Sequence, residues 1–212
     1  MSATVLKITD GESLRKAAAL AAEYLLGGKL VVFPTETVYG IGCNALDPSA
    51  VERLYYAKKR PFDKPLLLHL HSVKQAMEYS VLDARSKALL ERFTPGPLSV
   101  IVRKKENVPS IVTSGGDTVG LRFPDEPFFL SMAREAGIPI AATSANLSGF
   151  TSAKDGNAAA ELKDVADLII DHGTCAFSLE STILSLAGER PKLLREGAIS
   201  KEKLLEVLSV CD

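Results

Sequence analysis

Cations and small hydroxyl residues, rather than paired carboxylates, are the side chains of this sequence with the most chemical reach. Lys58, Lys59 and Arg60 stand together, Lys64 follows shortly after, and Arg122 and Arg195 each close an apolar run. Hydroxyl-rich clusters occur in three places: Thr35 and Thr37; Thr143, Ser144, Asn146 and Ser148; Ser178, Ser181 and Thr182. Taken singly, each of these residues reads as a turn cap. If the segments converge, they line a pocket with hydroxyl donors and guanidinium groups and few carboxylates. Such a pocket suits a phosphate chain together with a small carboxylate-bearing ligand, because arginine grips both in bidentate fashion.

The elements that must position these groups can be read from pattern and punctuation. Residues 13–26 are rich in Ala and Leu and run into Gly27-Gly28, a helix with a glycine stop. Residues 30–33 form a compact apolar strand, and the stretch from Thr35 through Gly40 and Gly42 reads as a binding loop at its end. Asp47-Pro48 supplies a cap and a first-turn proline for a helix over 48–58, with Val51, Leu54 and Tyr55 on one face. Pro61 stops that helix, so Lys58 and Arg60 fall at its C-terminal end. There they either complement the helix dipole or reach a ligand.

Strands are expected over 65–70, 98–103, 118–122, 138–142, 165–171, 181–186 and 192–195, and helices over 73–79, 83–93, 127–136, 158–164 and 199–208. Residues 104–116 read as a polar connection and 151–157 as a mobile loop, the segment expected to close over a ligand. No repeat or long linker interrupts the chain. Residues 1–212 therefore read as one α/β domain with a twisted, mixed, open sheet and flanking helices.

Composition excludes several classes. At 212 residues with 46% hydrophobic content the chain can bury a substantial core. A formal net charge of −1 argues against nucleic-acid binding by bulk charge, so any anion site must come from local clustering. Aromatics are 6% and Trp is absent, a poor supply for base stacking. The three cysteines, Cys43, Cys175 and Cys211, are widely spaced and form no CxxC pair, which points to reduced thiols in the cytoplasm. The N-terminus lacks the apolar core of a signal peptide, and no membrane span is expected. Gly40-x-Gly42 lacks the third glycine of a dinucleotide fingerprint, and there is no phosphate-loop GKS or GKT and no GxSxG elbow. His69 and His71 lack a third ligand, so they read as one core-edge and one exposed histidine and no protein metal site is expected. Cys43 reads as a small buried thiol.

Six ordered segments, FPTETVYGIG, AKKRPFDKPL, DTVGLRFP, TSANLSG, LESTI and LLREGAI, resemble the YrdC-like family of L-threonylcarbamoyladenylate synthases. The likeness runs from about residue 13 to 208. The family's KxR…SxN signature corresponds to Lys58, Arg60, Ser144 and Asn146. The resemblance implies an open sheet with a concave, locally positive groove, in the family's short, single-domain form. It also implies nucleotidyl transfer: L-threonine, bicarbonate or CO2, and ATP give threonylcarbamoyl-AMP and pyrophosphate, with Mg2+ on the phosphates. Downstream proteins would transfer the threonylcarbamoyl group to tRNA beside the anticodon. Whether this chain binds tRNA or other RNA directly, even weakly, is left open.

By the same resemblance, the catalytic set is Lys58, Arg60, Ser144 and Asn146. The threonine site comprises Thr37, His69, Arg122, the backbone of Ala142, and Ser181. The ATP site comprises Arg60, Lys64, Thr118, Ser144, Ser152 and Arg195. At position 64 some members carry Asn where this chain has Lys. The competing reading is a non-catalytic RNA-binding or ribosome-assembly module that uses the same groove.

Overall fold

Gly40 and Gly42 correct the reading of residues 35–42 as one long loop. In the computed structural model, which describes residues 2–209, they lie in strand β3 (Gly40–Asn44), antiparallel to β2 (Val31–Phe33). A Cβ on Gly42 would stand 2.8 Å from the Ile140 side chain and 2.9 Å from the Ala141 carbonyl oxygen. One on Gly40 would press within 2.8 Å of the Phe33 ring. These glycines let strands and core approach one another, so only residues 34–39 remain as loop.

The remaining strands are β1 (Thr4–Lys7), β4 (Leu67–His69), β5 (Ser80–Val81), β6 (Gly96–Lys104), β7 (Thr118–Phe123), β8 (Ile140–Ser144), β9 (Leu168–Asp171), β10 (Thr182–Ser185) and β11 (Lys192–Arg195). They form one open, mixed sheet in the order β1-β9-β2-β3-β8-β4-β7-β6-β10-β11, with β5 paired to β6. Strand β8 starts later than expected and runs on through Thr143 and Ser144, so both belong to the sheet. β1 has no counterpart in the sequence reading; among the described residues it pairs with β9 alone, parallel to it at the far end of the sequence.

Helices cover both faces. On one side α1 (Gly11–Leu26) and α5 (Pro127–Ala136) pack Leu25, Phe128, Phe129 and Met132 against Val31, Phe33, Ile140 and Ile170. On the other, α2 (Pro48–Ala57), α3 (Val73–Tyr79), α4 (Ala84–Phe93) and α7 (Lys201–Leu208) cover Val32, Ile41, Leu68, Val100 and Leu121. Alternation along β2, with Val31 and Phe33 to one core and Val32 to the other, explains why buried strands read as unbroken apolar runs.

Side-chain caps set the starts of α1 to α5. Asp10 and Ser13 form a reciprocal capping box on α1, and Asp47 accepts from Ser49 and Ala50 ahead of Pro48. The helix expected over 158–164 is instead a short α6 (Gly156–Ala159), capped by Asp155 and ending in a 3-10 turn (Ala160–Leu162). Among the described residues no helix is long and apolar enough to cross a membrane. Cys211 lies outside the described residues.

Candidate functional site

A cavity of about 200 Å3 opens where seven separate stretches of chain meet. Its wall takes Thr35 and Thr37 from the loop after β2, Arg60 from beyond α2, and His69 from β4. It takes Arg122 from β7, Thr143 and Ser144 from β8, Glu180 and Ser181 from the segment before β10, and Arg195 from the end of β11. Register explains part of this convergence: His69 pairs with Arg122, and Gly40 with Ser144. Three guanidinium groups therefore face one small space, and among the described residues Glu180 is the carboxylate on its wall. A larger opening of about 880 Å3 lies between α4 and α7 and holds none of the residues predicted for the site.

At the inner end, Thr35 builds a local turn. Its hydroxyl donates to the Val38 carbonyl at 2.6 Å and lies 2.9 Å from the Thr37 hydroxyl, which fixes Thr37 in the wall. Arg122 is 2% exposed. Its Nη2 pairs with Oε1 of buried Glu36 at 2.9 Å and donates to Thr37 Oγ1 at 3.4 Å. Its Nη1 is buried without a hydrogen-bond partner, as is Nδ1 of His69. Burial, reinforced by the Arg122 charge, lowers the His69 pKa to about 3, so the imidazole is neutral at physiological pH.

The signature residues form a second group. Lys58, the C-cap of α2, is buried, and its Nζ donates to the Ser144 carbonyl and to Asn146 Oδ1, the latter at 2.7 Å. The Ser144 hydroxyl donates to the same Oδ1 at 2.7 Å. Burial first, then the neighbouring Arg60 charge, brings the Lys58 pKa down to about 7. Arg60 folds back on its own turn, with Nε donating to the Lys64 carbonyl at 3.0 Å and Nη2 to the Pro65 carbonyl at 2.8 Å.

The third group closes the outer side. Arg195 donates from Nη2 to Ser181 Oγ at 3.1 Å and from Nε to the Ser181 carbonyl at 2.9 Å, and its Nη1 is tightly paired with Glu180. Glu180 also accepts from Ser152 Oγ at 3.0 Å, and Ser181 Oγ lies 3.0 Å from Ser99 Oγ. Thr182, by contrast, spends its hydroxyl on the backbone of Gly197 and Ile199 and serves the turn before α7.

Of the residues predicted from the sequence, Thr37, Arg60, His69, Arg122, Ser144, Ser181 and Arg195 line the one cavity. Lys58 and Asn146 stand directly behind Ser144. Ser152 and Asn146 border a neighbouring cavity of about 470 Å3. Ala142 is fully buried beside Gly42 and Leu67, Lys64 is exposed on the 61–66 turn, and Thr118 starts β7; none of these three lines either cavity. Sequence reasoning places Glu36 in the binding loop but gives it no role, and it does not pick out Glu180 or Ser99. A charged residue inside a stretch as apolar as FPTETVYGIG was the available signal for Glu36, because buried carboxylates need a partner. Cys43 is fully buried and its thiol pKa is pushed up, chiefly by desolvation; Cys175 is pushed up to about 11. His69 and His71 do not act as a pair, since His71 lies beyond the end of β4.

Known proteins share this fold. Residues 23–197 match the family profile Sua5_yciO_yrdC, described as Telomere recombination. A threonylcarbamoyl-AMP synthase of Bacillus subtilis is 42% identical over 203 residues, which cover 94% of this chain and 58% of that protein. The crystal structure of Pyrococcus abyssi Sua5 complexed with L-threonine aligns with a TM-score of 0.91 at 38% identity, covering 97% of this chain and 61% of that one. The crystal structure of E. coli YciO aligns with a TM-score of 0.83 at 26% identity, covering 93% of this chain and 97% of that one. The chain thus spans about three fifths of the length of the first two relatives.

Proposed function

The chain belongs to the Sua5/YciO/YrdC family, and from that premise we propose that it is an L-threonylcarbamoyladenylate synthase. It converts L-threonine, bicarbonate or CO2, and ATP into threonylcarbamoyl-AMP and pyrophosphate. The observation that carries this reading is the wall of the 200 Å3 cavity: three arginines, several hydroxyls, and two buried nitrogens, Arg122 Nη1 and His69 Nδ1, that lack protein partners. Buried polar groups without partners are costly, and a polar ligand satisfies them.

Arg122 takes the threonine carboxylate, with Thr37, neutral His69, Ser181 and the Ala142 backbone around the amino acid. Arg60, Lys64, Thr118, Ser144, Ser152 and Arg195 bind ATP, and Lys58 and Asn146 brace Ser144. The threonine ammonium gives one proton to solvent, its neutral nitrogen adds to CO2, and a second proton leaves that nitrogen to solvent as the carbamate forms. A carbamate oxygen then attacks the α-phosphorus and pyrophosphate leaves. Arg60, Lys58 and Arg195 stabilise the charge that gathers on the α-phosphate and leaving group, so positioning and electrostatics do most of the catalysis. Among the described residues Glu180 is the carboxylate on the wall, and one is too few for a protein cage, so Mg2+ would be held chiefly by the triphosphate and would supply charge neutralisation there. The product is consumed by separate proteins that acylate tRNA in the cytoplasm.

The test is pyrophosphate release from ATP by the purified chain. Release that requires both L-threonine and bicarbonate is expected. RNA binding with no threonine-dependent release would instead favour the non-catalytic RNA module.

A further inference from the structure

Arg122 commits only one side of its guanidinium to the protein. Nη2 donates to Thr37 Oγ1 at 3.4 Å and forms an ion pair with Glu36 Oε1 at 2.9 Å, a contact that falls short of hydrogen-bond alignment, while Nη1 has no hydrogen-bond partner. Glu36 is 6% exposed and is not part of the cavity wall, so it stands behind Arg122 as seen from the cavity. Its backbone is fixed from two directions. The Glu36 carbonyl accepts from the Phe177 N–H at 2.8 Å, and the Thr35 turn holds the residues on either side. A carboxylate on so fixed a stem can hold a guanidinium in one orientation. A buried guanidinium also needs an opposite charge beside it when no ligand is bound.

We propose that Glu36 is a positioning residue for amino-acid recognition: its carboxylate holds Arg122 through Nη2 and so presents Nη1 to the substrate's α-carboxylate. The inference rests on the reading of this cavity as the threonine site and assigns the residue that sets its carboxylate clamp. Glu36 touches no substrate atom and acts through Arg122. A role confined to charge balance during folding would leave threonine and ATP recognition equally affected or equally untouched. A positioning role separates them.

The experiment compares the parent chain with E36Q and E36D. L-Threonine binding without ATP is measured by titration calorimetry, and KM and kcat come from pyrophosphate release. E36D keeps the charge but withdraws it by one methylene. Because Glu36 and Arg122 form a buried ion pair, which is costly to weaken from one side, threonine affinity is expected to fall about ten-fold or more in E36Q and several-fold in E36D. KM for threonine follows, while KM for ATP stays within about two-fold and kcat within about three-fold. Threonine affinity at the parental level in E36D overturns the proposal, as does an equal rise in both KM values. If E36Q does not fold, E36D decides alone. Absence of threonine binding by the parent chain is a separate result, and it would sink the functional reading itself.

Discussion

Lys58 is the residue whose charge the fold leaves most open to a ligand. Burial and the nearby Arg60 bring its pKa from the ordinary 10.5 to about 7. Because the folded value is the lower one, the unfolded chain binds a proton between about pH 7 and 10.5 that the native state lacks. Stability from this group therefore rises with pH across that window, and the cost of charging Lys58 is fully present below about pH 7. A triphosphate beside Ser144 reverses the balance by favouring the ammonium form. Binding of a non-hydrolysable ATP analogue at pH 8 should therefore take up close to one proton, about 0.5–1 per site. The uptake appears as a dependence of calorimetric enthalpy on buffer ionisation enthalpy, and it should vanish in Lys58→Met. Enthalpy independent of buffer would refute the assignment. Lys58, Arg60, Ser144 and Asn146 stand out in the sequence through the family resemblance, and each sits at or just beyond the end of a local element. The partners of Arg122 and Arg195 do not, because Glu36–Arg122 joins residues that only the sheet order brings together.

Strand β3 shows how backbone packing, rather than loop chemistry, accounts for the glycines that follow Thr35 and Thr37. Gly42 pairs with Ala142 of β8, and a methyl group there would meet the Ala141 carbonyl oxygen at 2.9 Å and Ala142 Cβ at 3.0 Å. Relief requires the strands to part, because a carbonyl cannot rotate away as a side-chain tip can. Gly42→Ala should cost about 1–3 kcal/mol, the range for overpacking a close-packed interior, read from urea unfolding. Threonine binding should weaken alongside, since β8 ends in Thr143 and Ser144 on the cavity wall. Unchanged stability would mean that the sheet absorbs the methyl and that the glycine is dispensable. Helices were the readable part of this fold. The observed α3 and α5 have the expected bounds because caps, Pro127 and Gly137 are local signals, and Gly137 takes the left-handed conformation that stops α5. The short strands β1 and β5 escaped because only their distant partners make them strands.

Across the whole molecule, the segment best placed to close over ligands is 172–181 rather than 151–157. Residues 151–157 are already tied down: Ala153 accepts from Tyr39 at 2.9 Å and donates to Ala145 at 2.9 Å, and Lys154 accepts from Cys175 at 2.8 Å. The stretch from Cys175 to Ser181 is held at Cys175 by Lys154, at Phe177 by the Glu36 carbonyl and at Glu180 and Ser181 by Arg195, but its apolar side chains face solvent. Phe177 and Leu179 are 53% and 52% exposed, and its far end is tethered through the Glu180–Arg195 pair, whose side chains are each 38% exposed. A pair so open to solvent contributes about 0–1 kcal/mol, which a triphosphate competing for Arg195 and Ser152 can readily outweigh. Closure would carry Phe177 and Leu179 over the polar mouth and remove their apolar surface from water. Hydrogen–deuterium exchange with L-threonine and a non-hydrolysable ATP analogue should therefore slow amides in 176–181 by about ten-fold or more, with a smaller change over 151–157. Protection confined to 151–157 would return the closing role to that loop. Equal exchange in both segments with and without ligands would mean that the cavity binds in its present, open form.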